Sequence, residues 1–342
     1  MKAWRVHRHG RPSQALRLDE VPVPEPGAGQ VRVRSTAGTL NWNEIDGCHG
    51  RYRTVDPALP YTLGMELLGR VEAAGPGAEA WLGRRVVATA SGAHGAHAEA
   101  VVADAAMVFE APEALDDAGA AAFFFPFHVA HLALLERGGL QAGESLLVHA
   151  GAGGVGSAAV QLGVAQGARV FATAGGPEKL RLCRELGAEL AIDSRSEDFA
   201  EAVLDATGGR GVDVVCDLVG GKTTERSFRA IALGGRCVIA GFSGGIEAED
   251  AGIVPRPVVF GNFSLVGVML AYALDPAPVK RATGWNFFPR STGERVHAHL
   301  LELLAAGRIR PVVGRTASYA ELPAELERME ARQTLGRTIL RW

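Results

Sequence analysis

The segment VHAGAGGVGSAAVQLG (148–163) restricts the fold more than any other part of the chain. It sets Gly151, Gly153 and Gly156 in a GxGxxG spacing, after the apolar run SLLVHA (145–150) and before a helix-length stretch reaching Gln166. In a strand–loop–helix frame each glycine has its own duty. The first makes the tight turn, the second lets a pyrophosphate approach the backbone, and the third lets helix and strand pack closely. The helix N-terminus then presents free N–H groups and the positive end of its dipole to the phosphates. Glycine is abundant, 44 of 342 residues, so the spacing alone would arise by chance. The flanking strand and helix make a dinucleotide site the expectation.

The residues that follow bear on which dinucleotide. A site for NAD places an acid at the end of the second strand, about 20 residues on, to bind the ribose 2′-hydroxyl. Here the second strand RVFATA (169–174) runs into Gly175-Gly176 with no acid, and Lys179 follows within one helical turn. An acid would repel a 2′-phosphate, whereas a lysine attracts it. The chain has only four lysines, Lys2, Lys179, Lys222 and Lys280. The pattern favours NADP(H) over NAD(H).

From about residue 120, short apolar strands alternate with helix-length segments: 169–174, 190–193, 212–220, 234–242 and 264–270 supply strands. This predicts an α/β fold with a parallel sheet and right-handed crossovers. Residues 1–120 read instead as short strands bounded by Gly and Pro, an irregular β-domain. The tail mixes a helix (293–307) with strand-like RIRPVVG (308–314) and TILRW (338–342), which are expected to return to the N-terminal domain. The expected division is 1–120 with 271–342, and 121–270. A net charge of −3 leaves no basic face, so no nucleic-acid partner is expected. No run of 18 apolar residues occurs and the first ten residues lack a signal-peptide core, so no membrane association is expected. Cys48, Cys183, Cys216 and Cys237 show no CxxC spacing and fit a cytoplasmic, reducing location.

The chain resembles the medium-chain dehydrogenase/reductase superfamily, and within it the zinc-free quinone oxidoreductase (zeta-crystallin-like) branch. The resemblance is carried by NWNEIDGCHGRY (41–52), LPYTLGMELLGRVEAAGPG (59–77), LGRRVVA (82–88), GAHAEAVV (95–102), LQAGESLLVHAGAGGVGSAAVQL (140–162), GPEKLRLCRELGAELAID (176–193) and TLGRTILRW (334–342), covering most of the chain in order. It implies a GroES-like β-domain built from both chain ends, a doubly wound Rossmann domain, and NADPH between them. Carried over by position, Gly151, Gly153, Gly154, Val155 and Gly156 match the pyrophosphate loop and Lys179 the 2′-phosphate lysine. Ser194 stands where many members have a tyrosine beside that phosphate, with Arg195 next to it. Gly241 and Phe242 match the stretch passing the nicotinamide, and Arg337 stands where many members have lysine. Asn41 and Tyr52 match cleft-lining positions, with Tyr52 a hydrogen-bond or proton donor. The resemblance also implies a homodimer, with 263–270 as the candidate joining edge.

Several positions depart from zinc-dependent relatives. Met65 replaces the histidine of their G-x-E motif, Cys48 lines up off the first cysteine ligand, and the four-cysteine lobe is absent. His94 and His97 read as structural or solvated, Glu44 as structural. Val129 replaces a threonine found near the nicotinamide in relatives. His128 either faces substrate, sits in the core or caps a helix, and Trp285, Phe287 and Phe288 either wall the acceptor site or pack a helix end. Without zinc to polarise an alcohol, the expected reaction is reduction of a small electron-poor acceptor, a quinone or an α,β-unsaturated carbonyl, by NADPH. Two alternatives stand. One is a 2-enoyl-thioester reductase, whose basic entrance would draw on Arg51, Arg53, Arg281 or Arg290. The other is a non-catalytic protein that senses NADPH or binds RNA.

Overall fold

A computed structural model describes residues 1–52, 55–244 and 252–342. Its contacts divide the chain into two units, Met1–Phe124 with Ala271–His297 and Pro311–Trp342, and Phe125–Leu270 with Ala298–Arg310. The expected division at 120 and 270 differs in two places, each with a packing reason. Phe123 and Phe124 belong with the first unit, where Phe124 lies 5.1 Å from Phe109 between ring centroids. Residues 298–310 belong with the second, where the Gln161 side chain accepts from Arg310 N–H at 2.8 Å.

The second unit is built on six parallel strands: β1 (Ser145–Val148), β2 (Arg169–Ala174), β3 (Leu190–Asp193), β4 (Val212–Asp217), β5 (Ile231–Ile239) and β6 (Ser264–Gly267). Their order is β3-β2-β1-β4-β5-β6, the doubly wound arrangement. The central strands SLLV and VDVVCD are almost wholly buried, as a sheet covered on both faces demands. Leu147, Phe171, Val203, Val215 and Cys237 form part of one apolar cluster. The helix after β1, Gly154–Ala165, carries no charged residue and is buried from Gly156 to Gly163.

The first unit holds a seven-stranded sheet in which Arg337–Arg341 lies between Val313–Ser318 and Gln30–Thr39. The C-terminal segment thus returns to the N-terminal strands. Its first strand starts at Val313 rather than 308, because Arg310 N–H is taken by Gln161 and Pro311 has no N–H for a ladder. The segment Asp117–Arg137 is long and apolar enough to cross a membrane by composition; most of it is buried in the protein.

Candidate active site

Two sets of residues matter, one in each unit. In the parallel-sheet unit, β1 and β4 are neighbours and the strand order runs outward from them in both directions. The loops after these strands therefore meet at the topological switch point, where such sheets bind ligands. Two glycines of the loop act as packing residues. A methyl at Gly156 would fall 2.0 Å from the Ala150 carbonyl oxygen, so helix and loop touch as the spacing requires. A methyl at Gly151 would meet the Ala172 and Cys183 side chains at 2.9 and 3.1 Å. Within this tight turn the left-handed conformation is taken by Ala150 (φ 54°). Gly153 is the helix N-cap, and its missing side chain would meet only the Ala150 oxygen, at 3.3 Å. The intrahelical bonds begin with Ser157 N–H to Gly153, which leaves the first-turn N–H groups of Gly154, Val155 and Gly156 ahead of the ladder. This is a cradle a phosphate fits and a side chain at 153 would narrow.

Just before the loop, His149, which the spacing of glycines gives no reason to single out, joins β2 to the helix Lys222–Ser227. Its ring nitrogens lie 3.0 Å from Thr173 Oγ1 and 2.8 Å from Ser227 Oγ, and the Ser227 hydroxyl donates to the Thr223 carbonyl. Burial pushes its pKa down to about 4. His297, buried in the other unit with Nε2 3.0 Å from the Glu110 carbonyl oxygen, is also pushed down to about 4 by burial. An unfolded histidine takes up its proton near pH 6.5. Between about pH 6.5 and 4 the unfolded chain therefore binds more protons than the folded one, and stability falls as pH drops through that window. Urea unfolding at pH 7 and pH 5 should differ by about 2 kcal/mol for each histidine; a flat profile would show that neither is held neutral.

At the far end of β2, Gly175-Gly176 lead into the helix Pro177–Glu185, with Lys179 half-buried in its first turn. Arg195 lies over this turn, its Nε 2.8 Å from where a methyl on Gly175 would sit. Asp193 accepts from Arg195 N–H at 3.0 Å and fixes the approach. Ser194 is exposed, and its N–H donates to the Ala174 carbonyl at 3.0 Å. Past β5, Gly241 lies against the Leu218 carbonyl, 3.1 Å from a methyl placed on it, and Phe242 is 48% exposed. Asp217, fully buried at the end of β4, accepts from the N–H groups of Val219 and Gly220 at 2.8 and 3.1 Å.

In the β-unit, a small recess, partly open to solvent, is walled by Asn43, Tyr52, Tyr61, Leu63, Met65 and His94 among others. Tyr52 is half-buried, and burial raises the pKa of its phenol. Asn43 Nδ2 donates to its oxygen at 3.1 Å. Glu44 fixes this wall: its carboxylate accepts from Asn41 N–H (3.3 Å) and Met65 N–H (3.1 Å) and pairs with His97 Nε2 at 3.0 Å. Asn41, expected like Tyr52 to line the cleft, is not among the residues walling this recess. It is 4% exposed, donates to Glu66 at 3.2 Å and accepts from Arg337 at 3.2 Å. Arg337, expected at the cofactor, is itself buried and bound to Glu66 and Thr39.

Residues 27–113 match the alcohol dehydrogenase GroES-like domain family and residues 154–283 the zinc-binding dehydrogenase family. The quinone oxidoreductase of Rattus norvegicus is 32% identical over 79% of this chain and 80% of its own length. The quinone oxidoreductase of Thermus thermophilus, solved also in complex with NADPH, is 33% identical over the whole of both chains with a TM-score of 0.79. The chain belongs to the medium-chain dehydrogenase/reductase superfamily, in its quinone oxidoreductase branch. It is also 36% identical to a segment of a phenolphthiocerol/phthiocerol polyketide synthase of Mycobacterium tuberculosis, across 77% of this chain but only 12% of that protein.

Within this superfamily, a zinc-dependent member would carry histidine at position 65. Here Met65 supplies a thioether, a weak ligand for zinc. Cys48 is buried, and burial raises its thiol pKa and keeps it protonated. Among the described residues no group of three His, Cys, Asp or Glu side chains converges to hold a metal. His97 is committed to Glu44, and His94 sits edge-on to Tyr61 at 6.0 Å, on the recess wall rather than simply in solvent. His128 is fully buried. Trp285 follows the helix Pro276–Thr283 and is 42% exposed. Of the arginines nominated for a basic entrance, Arg51 pairs with Asp46 at 3.3 Å and Arg290 with Glu294 at 3.1 Å. Arg281 is exposed, and Arg53 lies outside the described residues.

Proposed function

We propose that the chain is an NADPH-dependent reductase of small quinones or activated α,β-unsaturated carbonyls, acting without zinc. The observation that carries this reading is the Tyr52 hydroxyl at a recess otherwise walled largely by apolar groups, Met65, Leu63, Val55 and Pro57. NADPH supplies the hydride when bound. The loop from Gly151 to Gly156 would hold the pyrophosphate, Lys179 and Arg195 would hold the 2′-phosphate with Ser194 beside it, and Gly241 and Phe242 would line the stretch at the nicotinamide. Asn41 and Arg337 act from behind, through Glu66 and the start of the helix Trp42–His49. The apolar wall excludes water and orients the acceptor. Tyr52 donates to the oxygen on which charge develops, where one such donor contributes strongly in a dry site.

The similarity to the polyketide synthase segment favours a second reading, reduction of a 2-enoyl thioester. The same donor would serve an enoyl carbonyl, and the difference lies in the handle that carries it. We also propose a cytoplasmic homodimer without nucleic-acid or membrane partners. The outer edge of β6 has no strand paired to it among the described residues, and such an edge favours pairing with a second copy.

The test follows loss of NADPH absorbance with benzoquinone, phenanthrenequinone, a 2-alkenal and crotonyl-CoA, each repeated with NADH, on protein assayed for metal and mass in solution. Rapid quinone or alkenal turnover with NADPH, at substoichiometric zinc, is the expected result. Turnover of crotonyl-CoA alone would move the assignment to the thioester. NADPH binding without turnover of any acceptor would leave the sensing reading, stoichiometric zinc would overturn zinc independence, and a monomeric mass would remove the dimer.

A further inference from the structure

We propose that Asn43 is a positioning residue for proton donation, holding Tyr52 by its oxygen so that the hydroxyl hydrogen is left for the acceptor. The inference rests on the reading that Tyr52 is the donor. Asn43 stands in the first turn of the helix Trp42–His49, and its Nδ2 lies 3.1 Å from the Tyr52 oxygen. Its Nδ2 also lies 3.9 Å from Met65 Sδ, and all three residues line the recess. The helix start is pinned by the bonds Glu44 makes to Asn41 N–H, Met65 N–H and His97, so Asn43 is carried on a fixed support.

A phenol oxygen has one hydrogen to give and two lone pairs to receive. An amide N–H on one lone pair leaves the hydroxyl hydrogen unspent. Once hydride has reached the acceptor carbon, charge gathers on its carbonyl oxygen. The Tyr52 O–H bond breaks toward that oxygen, an O–H bond forms there, and the electron pair left behind makes a phenolate. Solvent then returns a proton to it. The Asn43 bond strengthens as charge appears on Tyr52, because a hydrogen bond to an ionised acceptor is roughly twice as strong as one between neutral groups. It opposes three effects that disfavour the phenolate: burial, and the nearby carboxylates of Asp46 and Glu44.

The test reads the tyrosine directly in the protein without cofactor. The chain has four tyrosines, so ring-ζ carbon-13 labelling gives few resonances, and Tyr52→Phe assigns that of Tyr52. In Asn43→Leu the Tyr52 pKa should rise by about one unit. In the isosteric Asn43→Asp, which keeps the packing and needs no new fold, it should rise further. Both should lower turnover at neutral pH by about tenfold with the acceptor KM unchanged. A Tyr52 pKa that stays put overturns the proposal. One that falls shows the amide turned the other way, accepting the hydroxyl hydrogen, and overturns it equally; so does a raised pKa with undiminished turnover. If Tyr52→Phe turns over like the unaltered protein, the donor reading itself fails. If Tyr52→Phe is slow and the Asn43 variants are not, only the role of Asn43 fails.

Discussion

Lys179→Ala should weaken NADPH binding by about 10- to 100-fold while leaving NADH within about threefold. The asymmetry follows from where the charge sits. Lys179 lies one turn into the helix after Gly175-Gly176, at the end of β2, and no acid occupies that strand end. A charge-assisted bond to a phosphate contributes about 1.5–3 kcal/mol, which is the fold-change stated. For NADH the lysine meets only a neutral ribose hydroxyl in place of the phosphate, and a solvent-facing contact of that kind contributes little. Arg195→Ala should act in the same direction, since its guanidinium covers the same turn. Isothermal titration with both nucleotides measures this. Equal losses for the two would remove the 2′-phosphate assignment, and no loss for NADPH would mean that Arg195 alone carries it.

The same end of the sheet shows what the sequence makes legible. The strand, the glycine spacing and the following helix are local, and their order along the chain is enough to read them. Gly156 shows it well: its contact, the Ala150 carbonyl, lies six residues away on the same loop. The return of the last strand to the first sheet was also readable, because TILRW had no other sheet to join. The packing of Gly151 is not local in this sense, since the side chains it makes room for, Ala172 and Cys183, belong to the next strand and helix. What escaped was of another kind. His149 meets Ser227 across 78 residues, and Arg337 meets Glu66 across 271. No spacing along the chain encodes such pairs, which exist only once the strands are in order. Asn41 and Asn43 differ by two residues, which on a helix start places them on different sides. Position-by-position likeness chose Asn41, while the geometry puts Asn43 on the recess and Asn41 in the wall behind it.

That wall yields the other large effect. Arg337→Met should destabilise the β-unit by about 3–5 kcal/mol, because it leaves the Glu66 carboxylate buried without its counter-charge. Glu66 is 2% exposed and Arg337 6%. The Thr39 hydroxyl donates to Glu66 at 2.6 Å and the Asn41 amide at 3.2 Å, while Arg337 binds Glu66, Thr39 and Asn41. Burial lowers the Arg337 pKa to about 10, so it stays charged at neutral pH. The pair joins the first residue of the last strand, Arg337, to the first residue of Glu66–Ala74 and the last of Gln30–Thr39. It therefore ties three strands and, through Asn41, the helix that carries the recess. Taking two charges out of water is expensive, and their attraction offsets that only when both are present. The paired replacement Arg337→Met with Glu66→Leu should thus recover most of the loss in urea unfolding, to within about 1–2 kcal/mol of the unaltered chain. If instead the two single losses simply add, the residues stabilise the fold independently and the ion pair is not what joins these strands.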